Sequence, residues 1–437
     1  MPSLSTDQIL SLAPDEASKK AGQALANSSK WQQTGSSDRS LWGDCQGSGS
    51  KPYQTVVEIA TLTSKCSCPS RKFPCKHGLG LLLLQAKDAS KFSSVPEPAW
   101  VAEWLDKRAQ KTTAEPAERT KAAPDEKAQQ KRQAARESKA ASGLDELLLW
   151  MKDSVRSGLV QFPEKGSRFF EDISRRLIDA QLPGLARIVA GIGETNFYAE
   201  GWQTQVLDAF ARLYLAISGY RNLGDARPQL MQELRGFMGF PQSADSLNEP
   251  LPETDWLVLS KAQSREGALT VEKYWLINAD GQKGLFLQFL APGAATSLHL
   301  LAGECFRGEV RYYKAAVPLR VQLTPTQRQT TPPSVPVLRG WDAVADLESQ
   351  VLAAAPLLDG MPYVVAALKP VRTPEASWRM EDEHGRQMYL DPSVPEMVLW
   401  SWLAVSGGQY LQTAVLGAEN HYQPLGVWQN TTYTPLL

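Results

Sequence analysis

The segment CSCPSRKFPCKH sets Cys66 two positions before Cys68 and Cys75 two positions before His77, with six residues between the pairs. No other feature of the chain restricts its local fold as tightly. On extended backbone, residues two apart share a face, so each pair can point one way and the two pairs can form a four-cornered cage. Pro69 and Pro74 fix φ at the ends of the connecting loop and limit how it folds back. Three thiolates and one neutral imidazole are a common donor set for tetrahedral zinc, and soft sulfur disfavours magnesium or calcium. Four protein ligands leave no position for water or substrate. One structural Zn2+ is therefore expected at Cys66, Cys68, Cys75 and His77, supplying folding free energy to a module with a small core.

The remaining cysteines and the bulk composition fit that reading. The chain has five cysteines, and three of them fall within ten positions beside a histidine, which suits a reducing compartment better than a disulfide framework. The start MPSLSTDQIL lacks a basic segment followed by an apolar stretch, so a cytoplasmic protein is expected. The aliphatic run Leu81 to Leu84 is far short of the roughly 20 apolar residues of a membrane helix. With 46 basic and 47 acidic residues the formal charge is −1, so any attraction to nucleic acid must be local. A redox role would call for C-x-x-C near a βαβ pattern, and neither is evident.

The 437 residues suffice for several domains, and the pattern expected is multidomain α+β. Residues 1–100 read as one zinc-stabilised strand and helix module. Pro14 sits in an early turn ahead of DEASKKAGQALA, Tyr53 to Thr63 is a strand, and Gly78 to Lys87 is a buried helix despite its two glycines. Residues 107–142 read as a charged linker, disordered or a solvated helix, with ten basic and five acidic side chains and no large aliphatic residue to bury. A helical domain is expected over 143–245, opened by Ser142 and Asp145 as a capping-box variant before Leu144, Leu147, Leu148, Met151, Val155 and Leu159. Further helical spacing falls at Phe169, Ile173 and Leu177, at Val206, Phe210, Leu213 and Ile217, and around Leu230 to Met238. Residues 250–437 read as a β-rich or α+β domain, with strands at Trp256 to Leu259, Val271 to Asn278 and Leu285 to Leu290. A hairpin is expected around His384-Gly385 and one helix after Trp341.

The pattern C-x-C, a short gap and C-x-H resembles the SWIM zinc finger, and Trp42 to Tyr53 (WGDCQGSGSKPY) resembles the segment that introduces it in bacterial SWIM proteins. The likeness covers roughly residues 1–100. It implies zinc ligands at Cys66, Cys68, Cys75 and His77, a module of two or more strands followed by a helix, and binding to DNA or to another protein. In chromatin-remodelling ATPases and Mutator-type transposases such modules accompany a catalytic domain. This chain departs from both: it has no G-x-x-x-x-G-K-[ST] loop, and Gly47-Ser-Gly49 runs into Pro52 where a dinucleotide fingerprint needs glycine. It is more similar to the stand-alone bacterial SWIM-domain proteins.

Other residues admit plainer readings. Lys65, Arg71, Lys72 and Lys76 could meet phosphates, or could simply balance the net −1 of a Cys3His zinc site. Cys45 reads as a buried thiol and Cys305 as a core residue, while His299, His384 and His421 are isolated. The Glu381-Asp382-Glu383-His384 group could imitate an acid/base cluster but falls at a hairpin turn. Trp400 and Trp402 read as one face of a strand. The function expected is non-enzymatic, contacting a protein partner or nucleic acid and no small-molecule substrate. The alternatives are an adaptor for a separately encoded ATPase, or an enzyme with a C-terminal site.

Overall fold

The computed structural model describes residues 4, 6–47, 51–70, 72–113, 126–224, 227–242, 246–266, 269–291, 298–374, 377–418 and 421–436. Its first unit contains α1 (Thr6–Ser11), α2 (Glu16–Leu25), β1 (Trp31–Ser36), β2 (Ser40–Cys45), β3 (Tyr53–Glu58), β4 (Ser64–Cys66), α3 (Lys76–Lys87), β5 (Ser93–Ser94) and α4 (Ala99–Thr113). The strands form one sheet in the order β4-β3-β2-β1-β5. Asp15, one residue after Pro14, caps α2 by accepting the Ser18 N–H at 2.7 Å, so the proline precedes the cap instead of lying in the first turn. Helix α3 is buried on nearly every side, with Leu79, Leu81, Leu82, Leu83 and Leu84 joining Trp31, Leu41 and Val57 in one core. Its glycines are packing residues. A Cβ on Gly80 would lie 2.7 Å from Leu25 Cβ, and one on Gly22 would lie 2.9 Å from Leu79 Cβ, so α2 and α3 approach too closely for a side chain between them.

Both ends of the expected linker are helical. Helix α4 reaches Thr113 and α5 (Glu126–Ser157) starts within the charged stretch; the part at 114–125 lies outside the described residues. Alanine, lysine, arginine, glutamate and glutamine are strong helix formers, so this composition extends a helix readily. Ala140 is fully buried, and Glu137 accepts hydrogen bonds from Tyr220 and Arg235, so the helical unit takes in residues before 143. Ser142 caps nothing: its hydroxyl donates to the Ser138 carbonyl at 3.2 Å within the continuous helix. With α6 (Phe162–Asp179), α7 (Pro183–Gly193), α8 (Trp202–Asn222) and α9 (Pro228–Met238), α5 encloses a core of Leu144, Leu147, Met151, Phe170, Phe210 and Leu213. Trp150 stacks on Phe210 at 5.3 Å, and Phe162 meets Phe170 edge-on at 5.2 Å.

The β-rich region holds two rings of strands. The first is a closed barrel of β6 (Thr254–Glu266), β7 (Leu269–Asn278), β8 (Lys283–Leu290), β9 (Cys305–Tyr312) and β10 (Arg320–Gln329), in the order β10-β8-β7-β6-β9. Alternation divides its residues. Trp256, Val258, Tyr274, Leu276, Phe306 and Val310 fill the interior, while Leu257, Leu259, Trp275 and Ile277 face out. After α10 (Gly340–Ala354) come β11 (Met361–Arg372), β12 (Trp378–Asp382), β13 (Gln387–Leu390), α11 (Glu396–Ser406), β14 (Leu411–Ala418), β15 (His421–Gln429) and β16 (Thr432–Pro435). Their sheet runs β13-β12-β11-β14-β15-β16, and a β13–β15 pairing closes its first five strands into a second ring, with β16 appended to β15. Leu257, Leu259, Trp275 and Ile277 of the first ring share a core with Val364, Ala414, Leu425 and Tyr433 of the second.

Trp400 and Trp402 lie on helix α11, not on a strand. Two helical positions turn about 200°, so Trp402 is fully buried while Trp400 is 47% exposed and meets Trp378 edge-on at 5.2 Å. The hairpin at His384-Gly385 joins β12 to β13, and Asp382 there is fully buried. Its carboxylate accepts N–H groups from Trp341 at 2.9 Å, His384 at 3.0 Å and Arg386 at 2.9 Å, tying the turn to the start of α10. Asp382→Ala leaves these donors unmet and should cost about 3 kcal/mol in urea unfolding. A loss under about 0.5 kcal/mol would mean that the donors find other acceptors.

The first unit docks on the first barrel. Arg328, on β10, donates from Nε to the Ile59 carbonyl and from a terminal nitrogen to the His299 carbonyl, both at 2.8 Å, and pairs with Glu304. The His299 N–H donates to the Thr61 carbonyl at 2.9 Å, and Leu301 enters the core around α3.

Candidate metal centre

Cys66 ends β4, whose ladder with β3 sets it opposite Thr55. Cys68 follows where Ser67 holds the chain to β3, its N–H donating to the Gln54 carbonyl at 3.0 Å and its Oγ accepting the Gln54 N–H at 3.0 Å. The second pair departs from the extended geometry expected of it. Cys75 is the N-cap of α3 with φ −74° and ψ 167°, and His77 lies in the first helical turn. The helix start turns both side chains toward β4, and its partial positive charge favours a thiolate at Cys75.

The structure brings the four residues together, with donor atoms all within 4.8 Å of one another. His77 turns Nδ1 inward, 3.6 Å from Cys66 Sγ and 4.0 Å from Cys75 Sγ. Tetrahedral zinc with bonds of about 2.3 Å separates its sulfurs by about 3.8 Å, so the cluster is of the right size and donor chemistry for one zinc. Cys75 and His77 are buried and Cys66 and Cys68 half-buried. The hydrogen bond with Cys66, the His77 ring and the N–H groups of Gly78 and His77 hold Cys75 well below the usual thiol range. The same contact with Cys75, together with burial, pushes Cys66 up. Negative charge thus collects at the helix start, and zinc supplies the charge that lets all three sulfurs be thiolates.

Two supporting residues were not legible in the motif. Thr55 Oγ1 lies 3.2 Å from Cys66 Sγ, and the Tyr53 ring packs on His77 with centroids 4.9 Å apart. Both lie on β3, one period apart, but their role depends on a strand register that spacing does not reveal. Around the site Lys65, Lys72 and Lys76 are exposed, and Lys72 is held by Asp15 at 2.6 Å; Arg71 lies outside the described residues. Cys45 is fully buried beside the α3 core, and burial pushes its thiol up to about 11. Cys305 lies in the core between the two barrels. Among the described residues, the Cys3His group is the one cluster suited to a metal.

A sheet and a helix pinned by a closed Cys3His cage define a structural zinc-binding module. The chain carries a SWIM zinc finger and its associated helical domain: the SWIM zinc finger family model matches residues 48–85, and that of the SWIM-associated four-helix bundle domain matches residues 135–238. The second match coincides with the helices from α5 to α9 and leaves residues 239–437 to be read from the structure alone. No curated protein and no solved structure matches the chain. No helix among the described residues is long and apolar enough to cross a membrane.

Proposed function

We propose that this chain is a non-enzymatic recognition protein of the cytoplasm, in which zinc holds the SWIM finger rigid against the first barrel for contact with a protein or nucleic acid. The observation that carries this reading is the closed Cys3His cage, whose Cys75 and His77 are 4% and 3% exposed. A catalytic zinc keeps a coordination position for water, and four protein donors around one ion leave none. The acidic hairpin offers little acid/base capacity, because Asp382 spends its oxygens on backbone donors and Glu381 is held by Lys369, Tyr410 and Gln387. Three of the five cysteines gather in the metal cluster, and Cys45 and Cys305 are buried singly in separate cores, in keeping with a reducing compartment.

Cobalt substitution tests the closed shell. Co2+ in place of zinc should give the visible spectrum of a four-coordinate thiolate site, unchanged by azide or cyanide, because no position is free. A shift on adding either anion would reveal an open position and favour the enzymatic reading. Elemental analysis should find about one zinc per chain, lost in Cys66→Ser and His77→Ala.

A further inference from the structure

Strand order is the same around both rings. In the first, β6, β7 and β8 form a meander, β8 runs parallel to β10, and β9 lies between β10 and β6. In the second, β11, β12 and β13 form the meander, β13 runs parallel to β15, and β14 lies between β15 and β11. Each opening strand is irregular midway, between Val258 and Ser260 and between Val365 and Leu368, which lets one strand bend to pair on both sides. Helix α11, between the third and fourth strands of the second ring, plugs it with Trp402. This is the order of the OB fold, whose second and third strands present the ligand face.

The two ligand faces differ in access. On the first barrel, Trp275 and Ile277 of β7 and Leu285 of β8 pack against the second barrel. On the second, the β12–β13 face is open. Met380 and Met388 point into the core, so Arg379 and Glu381 on β12 and Tyr389 on β13 point outward. Tyr389 is 56% exposed, and the Arg379 guanidinium lies over its ring at 4.3 Å. One strand away, Lys369 stands opposite Glu381 and lies over the Tyr410 ring at 4.4 Å. Glu381 is the carboxylate of this strip, neutralised by Lys369 at 3.1 Å and accepting the Tyr410 hydroxyl at 3.0 Å. Arg379 has no carboxylate partner among the described residues.

We propose that the β12–β13 face of the second barrel binds single-stranded nucleic acid, with Tyr389 and Tyr410 stacking on bases and Arg379, the cation without a carboxylate, meeting phosphate. Rings interleaved with cations suit a ligand that alternates π faces with negative charge, and an acidic peptide has no such faces. The rings reach only bases that are not already paired and stacked, which selects a single strand over a duplex. The site stands apart from the zinc finger, since none of its residues lies in the first unit.

The test uses the full-length, zinc-loaded protein and a fluorescein-labelled oligo-dT of about 16 nucleotides, followed by anisotropy in KCl from about 50 to 200 mM. Wild type should bind saturably and more weakly as salt rises. Tyr389→Ala and Tyr410→Ala should each weaken binding about tenfold, and Arg379→Ala should lower the salt slope by about one unit, with thermal unfolding unchanged. A duplex of equal length should compete at least about tenfold less well. Absence of saturable binding, equal competition by the duplex, or wild-type affinity in the Tyr389→Ala/Tyr410→Ala double variant would overturn the proposal. Binding lost in Cys66→Ser but kept in that double variant would assign the contact to the zinc finger instead.

Discussion

Cys75→Ala should yield a protein without bound zinc whose first hundred residues are cut rapidly by protease, while a fragment containing the helical unit and both barrels survives. Structural zinc contributes on the order of 10–16 kcal/mol of apparent binding free energy, more than any other single feature of so small a module. Cys75 also begins α3, the helix whose leucines fill the core against β1, β2 and β3, so losing the metal removes the anchor of the core helix. Cys45→Ala is the matched control. It deletes a fully buried thiol from the same core without touching the cage, and should keep its zinc at a cost of about 1–2 kcal/mol. Metal content and limited proteolysis of the two variants side by side check the prediction. A Cys75→Ala protein that keeps stoichiometric zinc and resists cleavage would refute a four-ligand structural site.

How far the sequence revealed the molecule depended on whether the signal was local. The Cys3His cage could be read because donor chemistry and spacing together specify it, although the helical setting of Cys75 and His77 could not be read from an assumed extended chain. Helices α6, α8 and α9 carried apolar residues at helical spacing. Helix α7 carried the same spacing at Leu185, Ile188, Val189 and Ile192, but its glycines, poor helix formers, masked it. The charged stretch misled in the opposite way. Its lack of large aliphatic residues suggested a linker, yet Ala140 and Glu137 are enough to dock a helix whose propensity is already high.

The two rings were legible strand by strand and illegible as rings. Trp256 to Leu259 and Val271 to Asn278 read as strands, but Trp256 and Leu257 serve opposite sides of the barrel and both are fully buried, which hides the alternation. Closure depends on the parallel pairings of β8 with β10 and β13 with β15, which join residues far apart in the chain and leave no local mark. Trp400 and Trp402 show the same limit. A run rich in tryptophan, valine and leucine fits a buried strand or a buried helix equally well until its surroundings choose.

Arg328→Ala should separate the zinc module from the barrel that carries it and cost about 3–5 kcal/mol, because Glu304 is left buried and unpaired. The guanidinium also serves the carbonyls of Ile59 and His299, so the loss falls on the joint itself and not on either unit alone. Arg328→Met/Glu304→Leu, which removes both charges, should recover much of the stability but not the hydrogen bonds to Ile59. Acid should strain the same joint. Burial, with Lys261 close by, pushes His299 from 6.5 down to about 4, so the folded protein holds this ring neutral where the unfolded chain would protonate it. The unfolded state therefore binds more protons between these values. Stability from this group is complete above pH 6.5 and declines by about 3 kcal/mol as pH falls toward 4. Urea unfolding of wild type and His299→Gln across that window checks the linkage, since the glutamine variant should have the flatter profile. Equal slopes would place the acid sensitivity elsewhere, and an Arg328→Ala protein as stable as wild type would show that Glu304 sheds its charge instead of enduring it unpaired.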